Sequence, residues 1–377
     1  MLLTTLLRER IRTNGPISFH EFMQTALYHP IHGYYASGRA VIGRQGDFFT
    51  NISVGPVFGA LLASQFAEIW KRLGYPRPFT IVEQGAHRGD FARDALVEMK
   101  TSAPDCFAVI DYCIVEPFPA WRAHQQESLQ SFAHQVRWAT TLVEAGSFCG
   151  VHFSNELPDA FPVHAVHWNG KEWLERRVDF QRGRFSFVLA PITAPVLYAR
   201  LAQLPAPEGI DFSAEINIAS TDWIAQVAAV LSAGYVLIID YGGSRTSLVF
   251  PPRPHGTLAS YRQHQRQADV LAAPGDSDLT AHVDFTTMVE GAEKCGLTLH
   301  AYTDQHHFIA ALVQQRFGDS ATLTSERQRE IRAVHTLMHP DFMGAAFKVL
   351  CLEKAVPESR PLSGFQFAAG GRAALEL

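Results

Sequence analysis

The segment IVEQGAHRGDFARDAL, residues 81–96, places an acidic residue and two glycines where a predicted strand meets a predicted helix. Glycines at such a turn let a ligand approach the backbone, and the following helix presents unpaired N–H groups. Gly85 and Gly89 meet that requirement, whereas His87 excludes the close pyrophosphate approach that a three-glycine turn permits. Glu83 would repel a diphosphate but suits a ligand that carries an ammonium and a sulfonium group. These residues predict a site for S-adenosylmethionine.

A second acidic residue, Glu116, ends the next predicted strand in the segment IVEP. A carboxylate only accepts hydrogen bonds, so at a strand tip it can accept both hydrogens of a ribose diol. Open α/β sheets bind ligands at the carboxyl ends of their strands, so we expect Glu83 and Glu116 to line one crevice. A structural role is the alternative, in which Glu83 pairs with a nearby arginine.

The elements that must position these acids alternate between short apolar strands and helices over residues 79–157. Strands separated by helices of this length are typical of βαβ units, hence of a parallel sheet covered on both faces. Beyond them, the pair Asn169-Gly170 between two alternating runs indicates a hairpin and predicts an antiparallel insertion. The stretch 242–280 is rich in Pro, Gly and polar residues and is too long for a simple connector. The predicted fold class is α/β, with a doubly wound, Rossmann-like sheet.

Composition and charge exclude several classes of function. The chain has 377 residues, of which 47% are hydrophobic and 18% charged, as in an ordinary globular enzyme. A net charge of −5, without a long run of either sign, argues against a nucleic acid partner. The N-terminal residues predict an amphipathic helix rather than a signal peptide, and the most apolar window, 224–239, carries polar residues that argue against membrane insertion. We therefore expect a soluble protein.

The cysteines and histidines bear on compartment and metal binding. Five cysteines are scattered without a C-x-x-C pair, which favours buried thiols in a reducing compartment. Seventeen histidines include no H-E-x-x-H arrangement, so no metal site is predicted. The expected location is cytoplasmic.

Seven long segments follow one another along the chain and carry a resemblance to a known family: GPISFHEFMQTALYHPIHGYY, GRQGDFFTNISVGPVFGALL, VHFSNELPDAFPV, EINIASTDWI, LIIDYGG, GTLASYRQH and LTAHVDFTTM. In this order they resemble the MidA family of S-adenosylmethionine-dependent methyltransferases, over about residues 15–355. The resemblance implies a class I methyltransferase with S-adenosyl-L-methionine as cofactor. Because the family includes the mitochondrial arginine methyltransferase that helps to assemble respiratory complex I, it also implies a protein arginine as substrate, with a complex I subunit as a candidate.

The resemblance implies a set of residues that line the cofactor: Glu83, Gly85, Gly89, Glu116, Gly46 and Asp47. Gly46 and Asp47 belong to a segment of glycines and aromatic residues that suits a lid able to bend and exclude water. A packed loop is the alternative for this segment. Phe48 or Tyr35 is a candidate for a cation–π contact with the sulfonium. Family members carry glycine where His87 stands, so the turn departs from their pattern.

The candidate catalytic residues follow the fourth predicted strand, in SNELPDAFPV. Methyl transfer is an in-line displacement, so the protein mainly aligns the nucleophile and strips its solvent. A guanidinium is protonated in water, and a carboxylate must orient it and favour loss of a proton. Glu156 is the first candidate for that carboxylate and Asp159 the second, with Asn155 at the same edge. The alternative for Asp159 is a cap on the following turn.

The predicted organisation has an N-terminal cap, 1–78, a methyltransferase domain, 79–355, with insertions at about 163–215 and 242–280, and a tail, 356–377. Its sheet is expected to have seven strands and to end in a reversed hairpin. A non-catalytic assembly or scaffold protein with the same fold is the alternative function, and the departure from the glycine pattern favours it. A nicotinamide oxidoreductase is disfavoured by the missing pyrophosphate glycine. The oligomeric state stays open, with a homodimer as one possibility.

Overall fold

The structure, a computed structural model, describes residues 2–38, 50–249, 253–262, 265–317, 325–358 and 360–377. Its helices within these ranges are α1 Leu2–Asn14, α2 Phe19–Tyr28, α3 Val57–Arg72, α4 Asp90–Ser102, α5 Pro104–Phe107, α6 Pro119–Ser128, α7 Leu142–Ala145, α8 Pro195–Leu201, α9 Ile218–Val230, α10 Arg245–Val249, α11 Phe285–Lys294, α12 Gln305–Phe317, α13 Ser325–Met338 and α14 Gly371–Ala374.

The strands alternate with these helices in the first part of the chain and again near its end. They are β1 Ile17–Ser18, β2 Phe79–Gln84, β3 Ile110–Val115, β4 Val136–Ala139, β5 Phe148–Asn155, β6 His164–Asn169, β7 Trp173–Gln181, β8 Arg184–Pro191, β9 Asp211–Ile216, β10 Leu231–Gly243, β11 Ala259–Arg262, β12 Gln265–Arg266, β13 Asp278–Thr280, β14 Val283–Asp284, β15 Thr298–Asp304 and β16 Phe347–Lys354.

The central sheet has the strand order β15-β16-β10-β5-β2-β3-β4. Strands β10, β5, β2, β3 and β4 run parallel to one another, whereas β16 is antiparallel to both β10 and β15. The parallel strands are almost continuously apolar and buried, as expected where helices cover both faces. The seven strands in this order end in a reversed hairpin, as predicted, but the two-residue strand β14 pairs with β10 and makes the sheet eight-stranded.

Helices cover both faces of the central sheet, as the side chains of strand β5 demonstrate. Consecutive strand residues point to opposite faces. On one face Phe153 stacks on Phe91 of α4, with ring centroids 4.3 Å apart, and contacts Phe66 of α3. On the other face His152 makes an edge contact with Trp223 of α9 at 5.6 Å. This arrangement confirms the doubly wound α/β fold class.

A second sheet, with the order β1-β7-β6-β9 and β8 beside β7, is entirely antiparallel. Its β6–β7 hairpin turns at Gly170 and Lys171, and the side-chain oxygen of Asn169 accepts hydrogen bonds from the backbone N–H groups of Lys171 and Glu172. The predicted antiparallel insertion is thus present. Strand β1, from the N-terminal part of the chain, was not anticipated as a member of this sheet.

Contacts divide the chain into two compact units: unit 1 comprises 1–49, 158–222 and 243–286, and unit 2 comprises 50–157, 223–242 and 287–377. Both α3 and the C-terminal segment belong to unit 2, where the backbone N–H of Ser363 donates to Glu68 of α3 at 3.0 Å. The units cut across the predicted boundary at residue 78. The three consecutive regions remain a prediction of the sequence.

Candidate functional site

The carboxyl ends of the central strands meet at one edge of the sheet in unit 2. In the parallel register Gln84 of β2 lies beside Val115 of β3 and Ser154 of β5. The following residues therefore leave the sheet at the same level, and they include Glu116 and Asn155. Since Glu83 precedes this level by two residues, the acidic residues predicted as site residues are presented by neighbouring strands at a common edge.

Glu83 is a buried carboxyl group with a single described hydrogen-bond donor. Its side chain is 2% exposed, and the hydroxyl of Tyr112 donates to Oε2 at 2.7 Å. Burial raises the pKa of Glu83 to about 8, the Tyr112 hydrogen bond opposes this rise, and the negative charge of Asp90 adds to it. Among the described residues Glu83 forms no salt bridge, so the alternative of an arginine partner is not supported.

Glu116 is the second buried carboxyl group at this edge. Its Oε1 accepts a hydrogen bond from the backbone N–H of Phe118 at 2.9 Å, and its Oε2 accepts one from Gln125 at 3.0 Å. Burial raises the pKa of Glu116 to about 7, while these two hydrogen bonds and the charge of Arg122 lower it. Both oxygens are thus oriented by fixed donors, as a carboxylate that binds a diol requires.

The turn after β2 keeps its backbone shape despite the histidine. Gly85 has φ +81°, His87 +46° and Gly89 +79°, so the histidine adopts the left-handed conformation that glycine favours. Its imidazole packs against the indole of Trp121, with centroids 4.3 Å apart. At Gly89 an added Cβ would lie 3.2 Å from Leu129 Cδ1, so little room exists there for a side chain. The turn therefore has a left-handed backbone at Gly85, His87 and Gly89, and its role in cofactor binding stays a prediction.

These residues fit S-adenosylmethionine. Two buried carboxyl groups stand at neighbouring strand ends beside a glycine turn, and neither forms a salt bridge with a described residue. A cationic ligand would supply the positive charge that such a site lacks. An acceptor-only group at the second position suits two ribose hydroxyls.

Asn155 and Glu156 form a separate hydrogen-bonded group at the end of β5. The Glu156 Oε1 accepts hydrogen bonds from Asn155 Nδ2 at 2.8 Å and from the backbone N–H of Asn51 at 3.3 Å. Asn51 Nδ2 in turn donates to Asn155 Oδ1 at 2.8 Å. Two asparagines from two chain segments thus fix the direction of one carboxylate.

Glu156 also has an unusual backbone. Its φ is +52°, and its N–H donates to the carbonyl of Ile239 at 2.9 Å. A non-glycine residue in this region costs about 1–3 kcal/mol and persists only where the surroundings impose it. Such residues cluster at functional sites, so the strain at Glu156 supports a functional role for this residue.

Two other predicted site residues belong to unit 1. Asp159 belongs to unit 1, in the short 3-10 helix Pro158–Ala160, where its carbonyl accepts the N–H of Ala281. Tyr35 also belongs to unit 1, and its hydroxyl donates to Asp278 at 2.8 Å. The predicted lid residues Gly46, Asp47 and Phe48 lie outside the described residues.

Three residues at this edge were missed by the sequence argument. Tyr112 shares a sheet face with Glu83, which only the register between β2 and β3 reveals. Gln125 lies within helix α6, which follows Glu116, and nothing in the sequence around it marks it as a partner. Asn51 lies in the segment GRQGDFFTNISVGPVFGALL, and its partners Asn155 and Glu156 are distant in the sequence. No local pattern in the sequence marks any of the three.

Comparison with known proteins gives consistent matches. Residues 61–303 match the model of an S-adenosyl-L-methionine-dependent methyltransferase family. The protein arginine methyltransferase NDUFAF7 homolog, mitochondrial, of Drosophila melanogaster is 29% identical, over 92% of this chain and 83% of that protein. The mitochondrial protein arginine methyltransferase NDUFAF7 of Rattus norvegicus is 26% identical, over 97% and 86%.

A solved structure from Burkholderia thailandensis, bound to S-adenosyl-homocysteine, matches with a TM-score of 0.88 and 30% identity. The match covers 99% of this chain and 96% of that one. The likeness therefore extends over both compact units.

The predicted cytoplasmic location is wrong, because the similar proteins of fly and rat are named as mitochondrial. That prediction rested on unpaired cysteines, which indicate a reducing environment but do not distinguish one reducing compartment from another. Within the described part of the chain, no helix combines the length and apolar character needed to cross a membrane.

Proposed function

The chain belongs to the S-adenosyl-L-methionine-dependent methyltransferases of the MidA family, and on this premise we propose that it methylates an arginine side chain of a protein. The similar proteins of fly and rat are named as protein arginine methyltransferases. The observation that carries the proposal here is the oriented carboxylate of Glu156, since a guanidinium needs a fixed acceptor.

The proposed cofactor ligands are the residues at the ends of β2 and β3. Glu83 accepts hydrogen bonds from an ammonium group, and the backbone of the turn between Gly85 and Gly89 lines the ligand. Glu116 accepts from the ribose hydroxyls. When bound, S-adenosylmethionine supplies an activated methyl group on a sulfonium leaving group. Gly46 and Asp47 keep their proposed place in a lid.

The proposed catalytic group is Glu156, with Asn155 and Asn51 as the residues that orient it. A protonated guanidinium is a poor nucleophile, so the site must align it and accept a proton as the methyl group is transferred. Asn155 and the backbone N–H of Asn51 donate to this carboxylate, and the Asn51 side chain holds Asn155 in place, so the direction of the carboxyl group is fixed. Asp159 remains the second candidate.

The alternative of a non-catalytic scaffold rested on His87. Since His87 takes the backbone conformation of a glycine and packs its ring against Trp121, the departure in sequence is not a departure in turn geometry. No observation at this turn favours the scaffold over the enzyme.

The substrate proposal is tested with purified protein, S-adenosylmethionine and arginine-containing peptides from candidate partners, with mass spectrometry as the readout. We expect monomethyl or dimethyl arginine in at least one peptide, and none in the matched peptide with lysine in place of arginine. Methylation of the lysine peptide, or of another side chain in both peptides, would contradict an arginine substrate while leaving the methyltransferase assignment intact.

The target protein is approached by comparing methylated peptides from cells with and without this chain. A methylarginine that disappears with the chain, and returns with the wild type but not with Glu156→Gln, identifies the substrate. The resemblance noted above makes the subunits of respiratory complex I the first group to inspect.

A further inference from the structure

Gln125 of α6 connects three separate parts of the cofactor edge. Its side chain is fully buried, and its Oε1 accepts a hydrogen bond from Trp138 Nε1 at 3.0 Å. Its Nε2 donates to the carbonyl oxygen of His87 at 2.8 Å and to Glu116 Oε2 at 3.0 Å. One amide therefore touches the turn after β2, the end of β3 and strand β4.

The orientation of this amide is fixed by chemistry. An indole N–H can only donate, so the amide oxygen must face Trp138. Both amide hydrogens then point the other way, and each has an acceptor, His87 O and Glu116 Oε2. A buried polar network in which every described group is satisfied is rigid and specific. The network thus sets the distance between the turn and the carboxylate.

We propose that Gln125 is a positioning residue for the methyl donor, acting through Glu116 and the His87 carbonyl to hold the diol-binding carboxylate and the glycine turn in register. This inference rests on the proposed role of Glu116. Nothing in it requires contact between Gln125 and the ligand.

An amide suits this position better than an acid or an alkyl group. A glutamate here would set a second carboxylate against Glu116 and against the His87 carbonyl, and like charges at hydrogen-bond distance disfavour ionisation of the pair. An alanine would leave Glu116 Oε2 and the Trp138 N–H without a described partner in a buried place. Both changes make an ionised Glu116 harder to maintain.

The charges and donors around Glu116 make this effect dependent on pH. The groups that favour its ionised form are the Phe118 N–H, the Gln125 amide and the more distant charge of Arg122, against the opposing effect of burial. Without the amide, the pKa of Glu116 rises further. The loss of ligand affinity is then expected below the new pKa and relieved above it.

The test is a calorimetric titration of S-adenosylhomocysteine into wild type, Gln125→Ala and Gln125→Glu, at about pH 6.5 and about pH 9. We expect Gln125→Ala to weaken binding about tenfold or more at the lower pH, and by less than about threefold at the higher. Gln125→Glu is expected to be weaker still. Gln366→Ala, at an exposed glutamine of the same unit, is the matched control and is expected to bind like wild type.

Kinetics supply a second readout: a rise in KM for the methyl donor with kcat nearly unchanged. Binding by Gln125→Ala within twofold of wild type at both pH values would overturn the proposal, as would an equal loss at both, which marks a general structural defect. If Gln125→Ala does not fold, Trp138→Phe removes the donor that orients the amide and is expected to shift affinity in the same direction. If wild type itself does not bind the ligand, the proposed cofactor site fails rather than the role of Gln125.

Discussion

The ends of β2 and β5 use the same backbone device for different purposes. Each carries a non-glycine residue in the left-handed region, His87 after β2 and Glu156 after β5. After β2 the residue in this conformation turns its side chain away onto Trp121, and the buried carboxyl group of Glu83 is left for binding. After β5 the residue in this conformation is itself the carboxylate, aimed by Asn155 and Asn51.

We therefore expect the end of β2 to act in ligand binding and the end of β5 in the chemical step. In the proposed site, burial strengthens the interaction of Glu83 and Glu116 with a cationic, hydroxyl-bearing ligand, and because burial also raises their pKa values we expect affinity to depend on pH. Glu156 is only partly buried and is fixed by amide donors, which favours precise direction over tight binding. Variants at the two strand ends should therefore fail in different measurements.

Glu156→Gln is expected to have the largest effect. The amide keeps the size of the side chain but removes the charge that accepts a guanidinium proton, so kcat should fall by about a thousandfold. Calorimetry with S-adenosylhomocysteine should give affinity within about twofold of wild type, because Glu156 belongs to the substrate side. Glu127→Gln, at an exposed position of the same unit, is the control. If Glu156→Gln lost ligand affinity as strongly as activity, the ends of β2 and β5 would have to be treated as one binding site.

Glu83→Ala is expected to weaken S-adenosylhomocysteine about a hundredfold, since it removes a buried partner of the ammonium group. The change also strands the hydroxyl of Tyr112, so thermal unfolding must be followed beside the titration. Glu83→Gln retains an acceptor for that hydroxyl and separates the two effects. Wild-type affinity in Glu83→Gln would show that the carboxylate charge is not what holds the ligand.

The pH dependence of ligand affinity should expose the buried carboxyl groups. Their pKa values are about 8 for Glu83 and about 7 for Glu116, and only the ionised forms accept from an ammonium group and a diol. Each group should therefore raise affinity by up to about tenfold per pH unit below its own pKa, so the steepest rise, about pH 6 to pH 7, should exceed tenfold per unit. Titrations across that range check this, and Glu83→Gln should flatten the curve. A flat wild-type curve would contradict the raised pKa values.

The stability of the ligand-free protein should move in the opposite direction. A carboxyl group whose folded-state pKa is raised stabilises the fold below its unfolded-state pKa, and this contribution is lost as pH rises through the folded value. The unfolding free energy attributable to Glu83 and Glu116 should therefore fall as pH rises from about 4.5 through 8. Urea unfolding of wild type against Glu83→Gln at several pH values measures this difference.

His87→Gly is expected to have the smallest effect. Since the turn already has the glycine conformation and the ring lies against Trp121, affinity for S-adenosylhomocysteine should change by less than about threefold. The unfolding free energy should change little, because relief of the left-handed strain opposes the greater freedom of glycine in the unfolded chain. Tightening of more than about tenfold on this substitution would mean that the imidazole obstructs the ligand.

The sheet and its reversed hairpin were predictable because their signal is local. Apolar runs such as FTIVEQ and helices of ten or more residues carry the βαβ pattern within short windows. The shared edge for Glu83 and Glu116 then follows from the parallel arrangement alone. The joining of Ile17–Ser18 to β7 is a long-range pairing that no local pattern encodes.

The site was predictable only where its residues follow a strand. Gln125 reaches Glu116 because helix α6 packs over the end of β3. The spacing of residues in the sequence does not reveal this packing. The sequence indicated a departure at His87 because a motif is defined by residue types. The structure shows that the backbone of His87 nevertheless has the left-handed conformation typical of glycine. Asn51 shows the same limit, since its hydrogen bonds to Asn155 and Glu156 join segments about a hundred residues apart.

The most direct measurement is a crystal structure of the protein with S-adenosylhomocysteine. We expect the Glu83 carboxylate to contact the ammonium group of the ligand and Glu116 to accept hydrogen bonds from both ribose hydroxyls. The His87 ring should stay against Trp121. An imidazole that occupies the adenosyl space, or a ligand bound away from both carboxylates, would contradict these expectations.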